Sequence, residues 1–376
     1  MSLKLGGGLE APLGCRSSTP DRCRERLRVM NDSGRVDRFQ REHTWTGFPL
    51  AVLYKYFDDQ GNYLAALIAY YAFVSMFPLL LLAATILGYV LSGNPGLQQH
   101  ILTSALSQFP VVGSQLHDPS RIGGGATGLV VGILGALYGG LGVAQAVQYA
   151  MNSVWRVPRN NRPNPIKARG LGLLLLLTAG LAVIGTTTLS TFGSSDAGSL
   201  GGALKILLLV ASVVINAVVF VFFFRLATAR RLTVIDVAPG AICAAVVWQL
   251  LQTFGVTYVG HVVKGASATN GVFALVLGLL AFFYVTAVAV VLCAEINVVR
   301  VEHLYPRALL TPFTDNVELT GGDHRAYTGQ AVAQRSKGFE TVDVTFNKPA
   351  PRAGDQDNSA VEGDHSRPDH APRPAD

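Results

Sequence analysis

Gly271–Val299 reads GVFALVLGLLAFFYVTAVAVVLCAEINVV, and along this whole run the only charged residue is Glu295. A helix needs ~20 mainly apolar residues to cross a hydrocarbon core of ~30 Å, so the run predicts a membrane span. Five more runs of the same kind precede it, near Leu64–Leu91, Thr127–Ser153, Gly170–Phe192, Leu204–Leu226 and Val237–Val259. All six are continuous rather than alternating in polarity, which argues against porin-type strands. The composition agrees, since half of the 376 residues are hydrophobic and only 14% are charged, where a soluble domain carries roughly a quarter. The expected fold is an all-α integral membrane protein, a six-transmembrane-helix bundle with disordered cytoplasmic tails.

Lysine and arginine placement orients the bundle, because positive residues are retained on the cytoplasmic side. The second loop carries Arg156, Arg159, Arg162, Lys167 and Arg169, and the fourth carries Arg225, Arg230 and Arg231. The odd loops offer only Arg121, Lys205 and Lys264. Both termini are therefore expected in the cytoplasm, in agreement with the arginine-rich run from Arg16 to Arg41. Three regions follow: a basic, largely disordered tail over 1–47, a membrane domain over 48–305, and a disordered polar tail over 306–376. Phe48–Phe57 reads either as an interfacial elbow leading into the first span or as an extension of that span. Within the second tail, Phe339–Phe346 alternates enough for a strand against a partner. The first apolar run long enough to act as a signal begins near Leu64, so the first span itself is expected to direct insertion. Met30 stands beside Met1 as a second candidate start.

Polar residues inside spans carry the functional signal, because a polar group in lipid is costly unless it faces protein, water or ligand. Glu295 has two readings. It pairs with a nearby arginine such as Arg225 or Arg231 and holds helices together, or it binds a proton or substrate. Gln145, Gln148 and Asn152 lie at helical spacing on one face, and with Asn216 and Glu295 they are the candidate lining of a polar cavity. Gln249 and Gln252 extend that set. The second span also carries Gly128, Gly132, Ala136 and Gly140 at steps of four, a small-residue ridge that lets backbones approach. Pro78 follows Ser75 in the first span and frees the carbonyl of Val74, so a kink is expected there. His261, Lys264, Ser267, Thr269 and Asn270 form a polar loop that reads as an entrance.

No metal site, cofactor or catalytic residue is expected. Cys15 and Cys23 lie in the basic tail and Cys243 and Cys293 in spans, with no disulfide expected in a reducing cytoplasm. The pairs Asp323-His324, Asp364-His365 and Asp369-His370 are adjacent side chains in a polar tail and do not make a pre-organised metal site. No nucleotide-binding loop is present. The basic tail suits anionic lipid headgroups as well as phosphates of RNA.

Several motifs together resemble the YihY or virulence factor BrkB family, once labelled a ribonuclease BN family. They are Ala69-Tyr70 with Ser75 and Pro78, the Asn152-Ser153-Val154-Trp155-Arg156 exit, Asp236 with Gly240-Ala241, Gly271, and Ala294-Glu295-Ile296. Trp155-Arg156-Val157-Pro158 followed by Arg162-Pro163 looks closest to the actinobacterial branch. Departures are Thr228 where many members have proline, Asn270 where tyrosine is frequent and Cys293 where glycine is usual. The likeness implies six helices in the cytoplasmic membrane and a transporter or envelope-maintenance role. Ribonuclease chemistry is not expected, because the histidines are scattered singly and metal-dependent hydrolysis needs clustered ligands. Two functional readings stay open: a transporter or exporter of a lipid or amphiphilic envelope precursor, and a non-transporting membrane scaffold. Expected partners are membrane lipids, an envelope substrate, and copies of the chain or other proteins reached through the tails, with no specific nucleic acid.

Overall fold

A computed structural model describes residues 37–90, 125–195, 202–264, 268–309, 311 and 317–346. Its helices are α1 (Thr44–Asp58), α2 (Gly61–Val90), α3 (Gly125–Val154), α4 (Pro165–Ser195), α5 (Gly202–Ala227), α6 (Val234–Lys264), α7 (Ala268–Val301) and α8 (Gly321–Ala333). Six of them, α2 to α7, are long and apolar enough to cross a membrane. This is the six-helix bundle that the apolar runs predict, and no strand occurs among the described residues.

Each spanning helix packs on its neighbour in sequence, and α7 closes back onto α2, so the six form a ring. Leu177, Leu181, Val214, Phe222, Leu250 and Leu277 are exposed on its outside, where hydrocarbon takes the place of a protein core. The tightest packing lies at one end, where the arginine-bearing loops emerge. Met151, Val154, Trp155, Phe224, Val237, Val291, Val298 and Val299 are all essentially buried there.

Glycine sets the distance between α2 and α3. A Cβ on Gly135 would stand 2.6 Å from Pro78, one on Gly139 2.6 Å from Ser75, and one on Gly142 2.3 Å from Tyr71. Gly132 meets the Leu82 backbone at 3.1 Å. Gly140, by contrast, faces Leu176 of α4. The seam thus runs through Gly132, Gly135, Gly139 and Gly142, and only Gly132 of the steps-of-four ridge lies on it. Ala136 is buried, and the surroundings of Gly128 lie outside the described side chains. Pro78 sits inside α2 without ending it.

The segment 48–57 does not continue the first span. It belongs to α1, a separate helix that starts at Thr44 and stops at Asp58. Gly47, Ala51, Val52, Lys55 and Tyr56 form its buried face, which packs on α7. The chain then turns through Gln60 at φ 56°, and Tyr56 donates to Asn62 at 2.9 Å. Burial pushes the Tyr56 phenol up to about 12, which keeps it a donor.

The C-terminal region differs from the expected disordered tail. Arg307 is completely buried, donating to Asp58 at 2.9 Å and to Asp323 at 2.5 Å. Asp323 closes a capping box with Thr320 at the start of α8 and accepts from the Ala308 N–H at 3.0 Å. Burial works against the charged guanidinium, but Asp58 and Asp323 more than offset it, and Arg307 holds its proton more tightly than usual. Gln330 of α8 donates to the Asp58 carbonyl at 2.8 Å. The helix is thereby clamped to the end of α1. Phe339–Phe346 forms no strand, and Phe346 packs edge-on against His324 at 4.4 Å. The described residues between Arg307 and Phe346 are held by a few docking groups rather than by average hydrophobicity.

Candidate functional site

The polar residues singled out in the spans do not converge on one cavity. Gln145 is exposed on the outside of α3 and Asn216 is half-buried on α5. Gln148 is buried and donates to the Ala168 carbonyl at 3.0 Å, tying α3 to α4. Asn152, also buried, donates to the Gln148 carbonyl at 2.7 Å and accepts from the Ala229 N–H at 2.8 Å. It therefore ties the end of α3 to the loop after α5. Ser75 donates back to Ala72 within α2. Each of these bonds gives a polar side chain within the bundle a partner in the protein.

Glu295 has an ion-pair partner, but not an arginine of the fourth loop. Lys55 of α1 reaches it at 3.0 Å, and both side chains are fully buried. The same ammonium group contacts Asp59 and donates to the Val154 carbonyl at 2.8 Å. Arg225 instead donates to the Leu232 carbonyl at 2.9 Å, and Arg231 is exposed. Two carboxylates and one lysine thus lock α1 to α3 and α7. Two residues further along α7, Asn297 accepts the Gly240 N–H at 2.7 Å, and a Cβ on Gly240 would fall 2.1 Å from the Cys293 carbonyl. The Gly240 and Asn297 positions explain why α6 and α7 approach so closely.

A cavity of about 360 Å³ opens beside this lock, where α2 begins, α3 ends and α8 crosses over. Its lining includes Asp58, Asp59, Gln60, Tyr63, Leu64, Leu67, Tyr149, Ser153, Arg156, Arg159, Arg162 and residues of α8. None of Gln145, Gln148, Asn152, Asn216 or Glu295 is among them.

Arg156 reaches the cavity through the way α3 ends. Val157 N–H bonds to the Asn152 carbonyl at 2.8 Å and Arg156 N–H to the Ser153 carbonyl at 2.9 Å, the paired bonds of a Schellman turn. Arg156 occupies the left-handed position at φ 51°, which glycine usually fills because it has no Cβ to clash. Its side chain is 4% exposed. Among the described residues none of its three guanidinium nitrogens has a hydrogen-bond acceptor. Arg162 half-covers the Tyr149 ring at 5.3 Å and donates to the Val157 carbonyl at 3.2 Å. Burial lowers its pKa, an effect that Tyr149 opposes. The basic second loop was visible in the sequence as a topology signal; the cavity was not, because its walls come from three distant segments.

Among the described residues no group of three His, Cys, Asp or Glu side chains converges on a point where a metal would sit. Asp323 is committed to its helix cap, while the other two Asp-His pairs and the loop at 265–267 lie outside the described residues. The inner face of the cavity is charged and its outer face, through Tyr63, Leu67 and Tyr149, is exposed and largely apolar.

Comparison with known proteins gives several distant relatives, three of which follow. The chain is 25% identical over 257 residues to the inner membrane protein YhjD of Escherichia coli, covering 63% of this chain and 76% of that protein. It is 26% identical over 257 residues to the ribonuclease-like protein YfkH of Bacillus subtilis, 65% and 91% respectively. A UPF0761 membrane protein of Halorhodospira halophila is 23% identical over 263 residues, 67% and 56%. No solved structure matches. Residues 52–313, from the middle of α1 past the buried Arg307, match the family described as Virulence factor BrkB, and the chain is a multi-pass membrane protein belonging to that family.

Proposed function

We propose that this chain moves an amphiphilic molecule, a lipid or a lipid-linked envelope precursor, across or along the cytoplasmic membrane, with both termini inside. The observation that carries the reading is the cavity at the arginine-bearing end, charged within and apolar toward the bilayer. A volume of about 360 Å³ suits a headgroup, being at the small end of ligand pockets, which run ~300–1,000 Å³. A lipid headgroup can enter past the exposed Tyr63, Leu67 and Tyr149, beyond the glycine seam at the ends of α2 and α3, while its chains stay in hydrocarbon. The scaffold reading draws support from another observation: Gln148, Asn152 and Asn297 are consumed in bonds between helices, as in a rigid support.

Vesicles containing the purified full chain and a trace of fluorescent phosphatidylglycerol separate the two. Transport predicts that the wild-type chain speeds exchange of the probe between leaflets, with or without an imposed proton gradient. It also predicts that Ser153→Trp, which fills the cavity from α3, slows exchange about tenfold at unchanged melting temperature. No acceleration by folded wild-type protein under either condition removes the transport reading and leaves the scaffold.

A further inference from the structure

We infer that the cavity is a phosphate site: Arg156 at its floor, with Arg159 and Arg162 at its rim, binds the phosphate of an anionic amphiphile whose apolar part lies along Tyr63 and Leu67. This rests on the amphiphile reading above and adds the chemical class of the ligand.

The first support is the unmet bonding of Arg156. A buried guanidinium with no acceptor is costly, because its donors have left water without replacement. The nearest carboxylate oxygen, on Asp59, lies 4.0 Å from Nε, too far for a hydrogen bond, and Asp59 is already engaged by Lys55. The chain holds this arginine in a left-handed conformation, a strain that persists where surrounding structure demands it and that gathers at binding sites. Room is kept for it as well: a Cβ on Gly329 of α8 would lie 3.0 Å from Arg156 Nη1.

Charge is the second support. The lining contains two acids, but Asp58 is paired with Arg307 at 2.9 Å and Asp59 with Lys55. Arg156, Arg159 and Arg162 all face this one space, and because Glu295 and Asp323 also pair with Lys55 and Arg307, the network as a whole keeps one more cation than anion. Arginine forks match phosphate oxygens bidentately, and three of them offer more donors than the two oxygens of a carboxylate accept. The third support is the direction of the apolar wall. Tyr63 and Leu67 are one turn apart on α2, both exposed, and they lead from the arginines toward the span, as chain follows headgroup in a lipid. Tyr63 and Tyr149 suit the interface, where aromatic rings with a polar tip gather.

The test is binding by the folded full chain in mild detergent, read by native mass spectrometry, with phosphatidic acid, diacylglycerol of the same chains, and inorganic phosphate as probes. Phosphatidic acid is expected to bind at least tenfold more tightly than diacylglycerol, Arg156→Gln to abolish that preference, and Arg156→Lys to restore part of it. Inorganic phosphate binding as tightly as phosphatidic acid, with the same dependence on Arg156, upholds the phosphate site and overturns the lipid as its source. Equal binding of phosphatidic acid and diacylglycerol by the wild-type chain overturns the site. If Arg156→Gln does not melt as a folded protein, the rim decides: Arg159→Gln with Arg162→Gln is expected to weaken the preference severalfold, and an unchanged preference overturns the proposal. Phosphate binding without lipid movement in vesicles keeps the site and removes transport. Lipid movement by a chain that binds no phosphate does the reverse.

Discussion

Lys55 is the residue on which the buried charges turn. It serves Glu295, Asp59 and the Val154 carbonyl with no exposure to water. Replacing it by methionine leaves two carboxylates buried without their cation, and breaking a buried pair in this way costs ~3–5 kcal/mol. Glu295→Gln is milder, because glutamine still offers Lys55 an oxygen and Asp59 still balances the charge; about 1–3 kcal/mol is expected for the weakened bond. Melting in detergent should therefore rank wild type above Glu295→Gln and Glu295→Gln above Lys55→Met, with the double variant recovering part of the Lys55→Met loss. A lower melting point for Glu295→Gln than for Lys55→Met would sink this account. The sequence made Glu295 conspicuous as an acid in a span, yet its partner was illegible. Lys55 lies 240 residues earlier, and in the sequence it is one basic residue in a short apolar helix.

At the scale of elements, the α2–α3 seam shows what helical spacing does and does not reveal. Small residues at steps of four mark α3 as a packing helix, but each step overshoots a turn of 3.6 residues, by about 40° of rotation. A strict ridge of this kind winds away from its partner, which is why Gly140 faces α4 while Gly135, Gly139 and Gly142 face α2. Mixed steps of three and four stay on one face. Gly139→Ala places a methyl 2.6 Å from Ser75, and overpacking of this sort costs ~1–3 kcal/mol. Gly180→Ala on α4 meets nothing within 4 Å and gains helix propensity of roughly 0.5–1 kcal/mol. Melting should fall for the first and hold or rise for the second; equal behaviour would show that α2 and α3 are not pressed together at Ser75. The six spans themselves were plainly legible, because continuous apolar length is a one-dimensional property. The cavity was not, since its walls meet only where α2 packs on α3 and α8 docks across their ends.

For the whole molecule, orientation follows from the excess of arginine at one end. Ser114→Cys, placed in a cysteine-free background, should react in intact cells with a membrane-impermeant maleimide, and Asn161→Cys only after permeabilisation; the reverse pattern would invert the topology. The polar C-terminal region misled composition for a related reason: docking needs only Arg307, Thr320, Asp323 and a few contacts, too sparse to raise the average hydrophobicity. The lock between Lys55 and Glu295 also has a meaning in time. At ~5–20 residues per second, a ribosome that has made Lys55 takes roughly 10–50 s more to reach Glu295. Throughout that interval the lysine needs another companion, and Asp59, four residues away and already synthesised, is one. Asp59 is placed to act as a counter-charge during insertion, and arrival of the last helix extends this local pair into the lock that joins α1 to α7.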